Sequence, residues 1–196
     1  IGAASVGDAL GRVTEFISST EKIFNTYPYG VRSCKDFLDS DWSCLPTKFK
    51  SRDIAPYTDD TAMAVLVFQA LQEADSKEMN LDETMALIAE LFVLDRYREL
   101  GWVAPFRAPG VCTQKYVSIL AQKLEFKKEL APIWWKVSPA NGVTGGCGSV
   151  MRAYPFGLVF SDNPEKAKIW AAEHSELTHG DLCAKAACAA MAVGTA

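Results

Sequence analysis

The stretch that decides the fold reads YTDDTAMAVLVFQALQEA, residues 57 to 74. Its apolar side chains recur in steps of three and four residues: Met63, Val67, Ala70, Leu71 and Ala74. Such steps bring side chains to the same side of an α-helix. The stretch therefore predicts a long helix that begins near Asp60 and buries one face against other parts of the chain.

The start of this helix concentrates side chains that carry oxygen. Thr58, Asp59 and Asp60 offer a hydroxyl and two adjacent carboxylates, which are the hard ligands that Mg²⁺, Mn²⁺ or Ca²⁺ prefer. Helix capping is the alternative, because Thr and Asp are common at N-caps and in first helical turns. One aspartate suffices for a cap, however, and a second adds repulsion that a cation would offset. The residues alone leave both interpretations open.

Further helices are predicted along the chain. Three start signals place a polar cap before an apolar stripe: Asn80 with Glu83 as a capping box, Thr113, and Asn163 followed by Pro164. The helix from Asn80 is expected to run towards Tyr97 and to end at Gly101. The alanine-rich segment 181–193 predicts a buried helix. Strand signals are weak, without sustained alternation of apolar and polar residues.

These patterns predict an all-α fold, a compact bundle of several helices packed on one another. A length of 196 residues suits a single domain, and we assign residues 1–196 to it. Loops are expected at 33–56, 105–112 and 141–149.

Composition and charge exclude some classes of partner. The net charge of −4 and a pI near 5.3 argue against nucleic acid or an acidic membrane surface. No apolar run approaches the roughly 20 residues that a membrane-spanning helix needs. The densest basic stretch, 123–128, is interrupted by Glu125 and is typical of the solvated face of a helix. We therefore expect neither a nucleic acid nor a membrane as partner.

Cysteine usage bears on the compartment. The chain has six cysteines and no Cys-x-x-Cys pair, which argues against a structural zinc site. A chain of this size does not need disulfide staples, and no secretory segment is visible. We expect reduced thiols in a cytoplasmic protein, although an extracellular protein whose signal peptide had been removed would look the same.

The N-terminal segment adds two carboxylates. Small residues between Gly2 and Gly11 predict a closely packed helix. Asp8 and Glu15 are seven residues apart, so a continuous helix would point both the same way. Two interpretations stay open: these carboxylates are exposed or paired on the surface, or they lie over the same site as Asp59 and Asp60.

A glycine-rich segment, 142–152, precedes another helical stretch. Glycine density before a helix allows backbone N–H groups to approach phosphate oxygens. The segment lacks the lysine of a Walker loop, and a flexible turn is the alternative. His174 and His179 do not match the zinc-protease pattern. Of the two, His179 is the better candidate for contacting a ligand.

Four motifs occur in a fixed order and are more specific together than alone: GxxxxGDALGxxxEF (2–16), YTDDTxMA (57–64), GxGSxMRxxP (146–155) and TH (178–179). In this order they resemble the ADP-ribosylglycohydrolase family, which includes dinitrogenase-reductase-activating glycohydrolase and the ADP-ribosyl-acceptor hydrolases. The resemblance runs from Gly2 to the end of the chain. It implies an all-α domain that holds two Mg²⁺ or Mn²⁺ ions and hydrolyses the glycosidic bond between ADP-ribose and a protein side chain, or a related ADP-ribosyl compound.

The resemblance also implies roles for individual residues. Thr58, Asp59 and Asp60 would be metal ligands, and Glu15 would be the glutamate near the metals. Glu15, Asp59 and Asp60 are thus the candidate catalytic residues. The candidate ligand-binding residues are those of the glycine loop and the Thr-His motif: Gly146, Gly148, Ser149, Met151 and His179. The small residues around Asp8 would form a wall of the cleft.

Two departures from the family pattern qualify this resemblance. Cys147 stands where the family typically has Asn. The second metal motif, an Asp-x-Asp-Thr run on a C-terminal helix, is not found. We therefore expect this chain to carry the N-terminal two-thirds of the family's domain, with the remaining helices removed or supplied by a second chain. The alternative is a catalytically inactive relative that binds ADP-ribose or serves a structural, crystallin-like role. The choice of acceptor side chain would depend on the segments 33–56 and 105–112.

Overall fold

The computed structural model describes residues 1–43, 45–49, 51–52, 54–126 and 133–196. Cys44 and the basic pair Lys127 and Lys128, on which two of the expectations above partly rest, lie outside these residues. The described chain contains these α-helices: α1 (Gly2–Gly11), α2 (Thr20–Thr26), α3 (Asp39–Ser43), α4 (Asp59–Ser76), α5 (Leu81–Asp95), α6 (Val111–Leu124), α7 (Tyr154–Val159), α8 (Pro164–Ser175) and α9 (Leu182–Thr195). Short 3₁₀ helices lie at Cys34–Asp36, Thr47–Phe49, Pro105–Arg107, Gly142–Thr144 and Cys147–Arg152. No strand occurs in these ranges, and the all-α prediction is confirmed.

The main core lies between α4, α5 and the C-terminal helices. Helix α4 packs on α5 and α7, α5 packs on α6, and α9 packs along α8 and α7. Met63, Leu71 and Phe92 are almost completely buried there, together with the tryptophans Trp102 and Trp135. Burial of one such side chain contributes about 1.5 to 3 kcal/mol relative to leaving it in water. The apolar face of α4 is therefore buried against other helices, as predicted.

Most predicted helix starts are confirmed. Thr58 caps α4, and its Oγ1 accepts the N–H of Asp60 at 3.3 Å. Asn80 and Glu83 form the reciprocal capping box of α5. The capped starts of α8 at Asn163 and of α9 at Asp181 are also present.

Two predicted boundaries were wrong. Helix α6 begins at Val111 with Gly110 as its N-cap, so Thr113 lies inside the first turn, where its side chain is buried. Helix α5 ends at Asp95, before Tyr97, because the Asp95 carboxylate accepts the N–H of Trp102 and turns the chain back. At Gly101 a side chain is excluded, since a Cβ there would lie 1.9 Å from the Asp95 carbonyl oxygen.

The segment 33–56 was predicted as a loop but contains short helices. Phe37, Trp42 and Leu45 bury their side chains in a second, smaller cluster with Ala104 and Phe106. Local turns in this segment form because they bring these apolar side chains together. The assignment of residues 1–196 to one domain stays a prediction.

Four described cysteines are free thiols: Cys112, Cys147, Cys183 and Cys188. Within the described part of the chain, no helix is both long enough and apolar enough to span a membrane.

Candidate functional site

One cleft of about 420 Å³ lies beside the first turn of α4. It brings together residues that are far apart in the sequence. Of the predicted site residues, seven line it: Glu15, Asp59, Asp60, Gly146, Gly148, Met151 and His179. Thr58 and Ser149 do not line this cleft. The cleft thus joins all four sequence motifs in one place.

The first turn of α4 supplies the buried acidic end of the cleft. Asp59 is 9% exposed and Asp60 is half-buried. Burial and the neighbouring charge of Asp60 raise the pKa of Asp59 to about 7. Burial, with the charges of Asp8 and Glu15, raises the pKa of Asp60 to about 6. The carboxylates are therefore close enough to oppose one another's ionisation.

Asp8 holds the start of α4 from a different helix. Its Oδ2 accepts the N–H of Thr58 at 3.0 Å, the N–H of Thr61 at 3.3 Å and the Thr61 hydroxyl at 2.6 Å. An anion at a helix N-terminus satisfies free N–H groups and complements the helix dipole. The Asp8 carboxylate lines a second cavity, of about 430 Å³, on which Asp60 and Met151 also lie. Of the small residues of α1, Ala4 lines this second cavity, and no residue of α1 lines the cleft itself, so the predicted wall of small residues does not border that cleft.

Glu15 reaches the cleft by a different route from the one predicted. Helix α1 ends at Gly11, and turns between Arg12 and Phe16 carry the chain onward. Asp8 and Glu15 therefore do not share one helix face. Even so, Glu15 lines the cleft, and burial followed by the charge of Asp8 raises its pKa. Carboxylates from α1, from the turn after it and from α4 surround the same region.

The chemistry of these donors suits one side of a metal site. Hydroxyl and carboxylate oxygens are the preferred ligands of Mg²⁺ and Mn²⁺, and a cation would relieve the mutual repulsion of the carboxylates. Nevertheless, in the part of the chain that the structure describes, no group of three or more His, Cys, Asp or Glu side chains is gathered closely enough to hold a metal ion. The metal assignment of Thr58, Asp59 and Asp60 stays a prediction.

The glycine-rich segment folds into two short 3₁₀ turns. Gly146, Cys147 and Gly148 line the cleft. Ser149 turns its side chain away, since it is fully buried and its hydroxyl lies 2.7 Å from the Ser175 hydroxyl. Cys188 also approaches Ser149, at 3.3 Å. The Ser149 side chain therefore ties this segment to α8 and α9.

His179 lies between α8 and α9 with its ring against the glycine turns. A Cβ at Gly148 would lie 3.0 Å from the Cε1 atom of His179 and 3.3 Å from the Thr113 hydroxyl, closer than side-chain carbons normally approach. Only glycine fits at this position without a shift of the ring. Burial, and secondly the charge of Arg152, lower the pKa of His179 to about 4. The ring is therefore neutral near pH 7.

Some residues of the site were not recognised from the sequence. The segment 108–113 lines the cleft, and Phe16 and Val111 stand at it with mostly exposed side chains. The sequence analysis had indicated part of this segment, because it assigned the expected loop at 105–112 a role in the choice of acceptor side chain. Arg152 belongs to the GxGSxMRxxP motif. Nothing in the sequence indicated that its guanidinium group is completely buried beneath the site.

The comparisons with known proteins agree with the motifs. A family model for ADP-ribosylglycohydrolase matches residues 1–196. Comparison with curated proteins and with solved structures gave no match. The family match covers all 196 residues, and with them all four motifs around the cleft. The chain belongs to the ADP-ribosylglycohydrolase family.

Proposed function

We propose that this chain acts in the metal-dependent hydrolysis of the glycosidic bond that links ADP-ribose to a protein side chain, or of a related ADP-ribosyl compound. Membership of the family indicates ADP-ribosylglycohydrolase-type activity in general. The observation that carries the finer proposal is the single cleft in which Asp59, Asp60 and Glu15 lie together with Gly146 and His179.

The acidic end of the cleft supports a cation-binding role. Thr58, Asp59 and Asp60 would hold Mg²⁺ or Mn²⁺ through oxygen atoms. When bound, the metal supplies polarisation of a ribose hydroxyl or of a water molecule. The raised pKa values of Asp59 and Asp60 support this role, because carboxylates that oppose one another's ionisation gain most from a cation.

The same carboxylates are suited to the bond cleavage. Hydrolysis at the anomeric carbon passes through an oxocarbenium-like state, and a negative charge nearby stabilises it. A carboxylate within reach also accepts a proton from the attacking water. Glu15, which lines the cleft and is not part of the α4 cap, is our candidate for the proton acceptor.

The other end of the cleft is suited to the phosphates. Gly146 and Gly148 bring backbone close to the cleft without side chains in the way. Backbone N–H groups in such turns bind anionic oxygens. The neutral His179 ring lies directly against them and adds a polar nitrogen.

The test is the release of ADP-ribose from peptides that carry it on arginine or on serine, with Mg²⁺ present. We expect Asp60→Asn to lower the rate by about a hundredfold or more, as is typical for loss of a group in the reacting centre. Asp162→Asn, which changes an exposed turn residue, serves as the matched control and should leave the rate unchanged. A chelator should abolish the wild-type activity.

Two outcomes would contradict the proposal. Equal rates for wild type and Asp60→Asn would show that Asp60 takes no part in the reaction. Binding of ADP-ribose in a calorimeter without any turnover would instead favour the non-enzymatic alternative, a protein that binds ADP-ribose or serves a structural role.

A further inference from the structure

The two ring nitrogens of His179 lie in different surroundings. Nδ1 is 2.8 Å from the hydroxyl of Thr178, which is completely buried. The opposite edge of the ring, with Nε2, faces the glycine turns: a Cβ at Gly146 would lie 3.5 Å from Nε2, and one at Gly148 would lie 3.3 Å from it. One nitrogen is therefore inside the protein and the other is on the side of the cleft.

The Thr178 hydroxyl has a second partner that fixes its direction. Arg152 donates an N–H to the same oxygen atom. A guanidinium group has only donors, so the Thr178 oxygen must accept in this bond. Among the described residues, the hydroxyl is bonded to Arg152 and His179 alone. A completely buried hydroxyl hydrogen is costly to leave without an acceptor, and of these two partners only Nδ1 of His179 can accept it.

We propose that Thr178, oriented by Arg152, is a positioning residue that holds the neutral His179 ring in the tautomer with its hydrogen on Nε2. The cleft then presents an N–H donor beside Gly146 and Gly148, directed at an acceptor oxygen of the bound ligand. This inference rests on the proposed function, because the ligand it concerns is the ADP-ribosyl group.

Arg152 also holds His174, and it does so in the opposite tautomer. The Nε of Arg152 donates to Nε2 of His174 at 3.0 Å, so the neutral His174 ring must carry its hydrogen on Nδ1. His174 is fully buried between Phe92 and Phe156 and does not line the cleft. The chain has two histidines in all, and we infer that one guanidinium group sets them in opposite tautomers.

Nitrogen-15 NMR of the histidine rings tests the assignment directly at pH 7. We expect two rings in opposite tautomers, one with a protonated Nε2 and one with a protonated Nδ1. The signal that disappears in His179→Gln must be the ring protonated on Nε2. If the His179 ring instead carries its hydrogen on Nδ1, or exchanges evenly between both forms, the proposal is overturned.

A pair of variants tests the consequence for binding. Thr178→Val removes the hydroxyl at nearly constant volume, and Thr178→Ser keeps it. In Thr178→Val we expect the His179 ring to be less ordered or to occur as a mixture of both tautomers, and ADP-ribose to bind about tenfold more weakly. Thr178→Ser should keep the single tautomer and the wild-type affinity. Unchanged affinity in Thr178→Val would contradict the positioning role.

The two proposals fail in different ways. If the wild-type protein shows the expected tautomers but does not bind ADP-ribose, the proposed function is contradicted and the tautomer assignment stands. If Thr178→Val does not fold, the wild-type NMR spectrum still decides the assignment, because it requires no variant at position 178.

Discussion

Burial acts on the acids and the bases of this cleft in opposite directions. It raises the pKa of Asp59 and Asp60 and lowers that of His179, so in each case the neutral form is favoured. For the two aspartates, a cation can reverse this preference. For His179, the neighbouring charge of Arg152 reinforces it. A neutral histidine beside the glycine turns is therefore a stable feature of the folded protein.

The lowered pKa of His179 predicts a loss of stability in acid. The unfolded ring binds a proton below about pH 6.5, whereas the folded ring does so only near pH 4. Because the unfolded state then binds more protons, stability falls as the pH drops through this range. At pH 5 the loss is on the order of 2 kcal/mol.

Urea unfolding at pH 7.5 and pH 5 measures this effect. His179→Gln removes the contribution of this one ring, so its free energy of unfolding should fall less on acidification than that of the wild type. The raised pKa values of Asp59 and Asp60 favour the folded state in acid, but they act in both proteins and cancel in the comparison. An identical pH dependence in the two proteins would show that His179 is not a buried neutral ring.

At the scale of the elements, α1 and α4 depend on one another. Local signals predicted each helix, and they left capping by Thr58 as one of two interpretations of the residues at the start of α4. No local signal could indicate that Asp8 also caps α4, because the two are 50 residues apart and only the packing of α1 brings them together. The expectation that Asp8 and Glu15 share a helix face was wrong for a related reason: α1 ends at Gly11, and the seven-residue spacing did not reveal the turns that follow it.

The cap from Asp8 predicts a measurable stabilisation of α4. Asp8→Ala removes the acceptor of three hydrogen bonds and should lower the free energy of unfolding by about 2 kcal/mol. Asp8→Asn keeps an oxygen acceptor without the charge and should cost about half as much. Chemical denaturation measures both, with Asp162→Ala as the control at an exposed position. An Asp8→Ala protein as stable as the wild type would contradict this prediction. It would mean that the lost cap is fully offset, because the substitution also relieves the repulsion between Asp8 and the neighbouring carboxylates.

At the scale of the whole molecule, the site forms where four segments meet. The start of α4, the turns after α1, the segment 108–113 and the glycine turns all border one cleft, and His179 closes it between α8 and α9. Periodicity and capping predicted α4, α5, α6, α8 and α9, because those signals are local, but they did not predict the short helices α2 and α3. The meeting of the segments depends on packing across the core, and before the structure only the resemblance to a family indicated it.

The whole-molecule arrangement also separates two residues that the motifs place side by side. Gly148 and Ser149 are neighbours in the sequence, yet Gly148 lines the cleft while the Ser149 side chain is buried against Ser175. A 3₁₀ turn changes direction at each residue, so adjacent side chains point to different surroundings. The motif identified the segment correctly but could not tell which of its members faces a ligand.

The measurement that tests the central claim most directly is the affinity for ADP-ribose of wild type, Gly148→Ala and Gly142→Ala, compared by calorimetry with Mg²⁺ present. Both variants add one methyl group to the same glycine-rich segment. At Gly148 it would lie 3.0 Å from the His179 ring, and at Gly142 it would meet nothing within 4 Å. If this cleft binds ADP-ribose, wild type and Gly142→Ala should bind alike, and Gly148→Ala should bind at least about tenfold more weakly. Equal affinity in all three proteins, or no binding by the wild type, would contradict the claim.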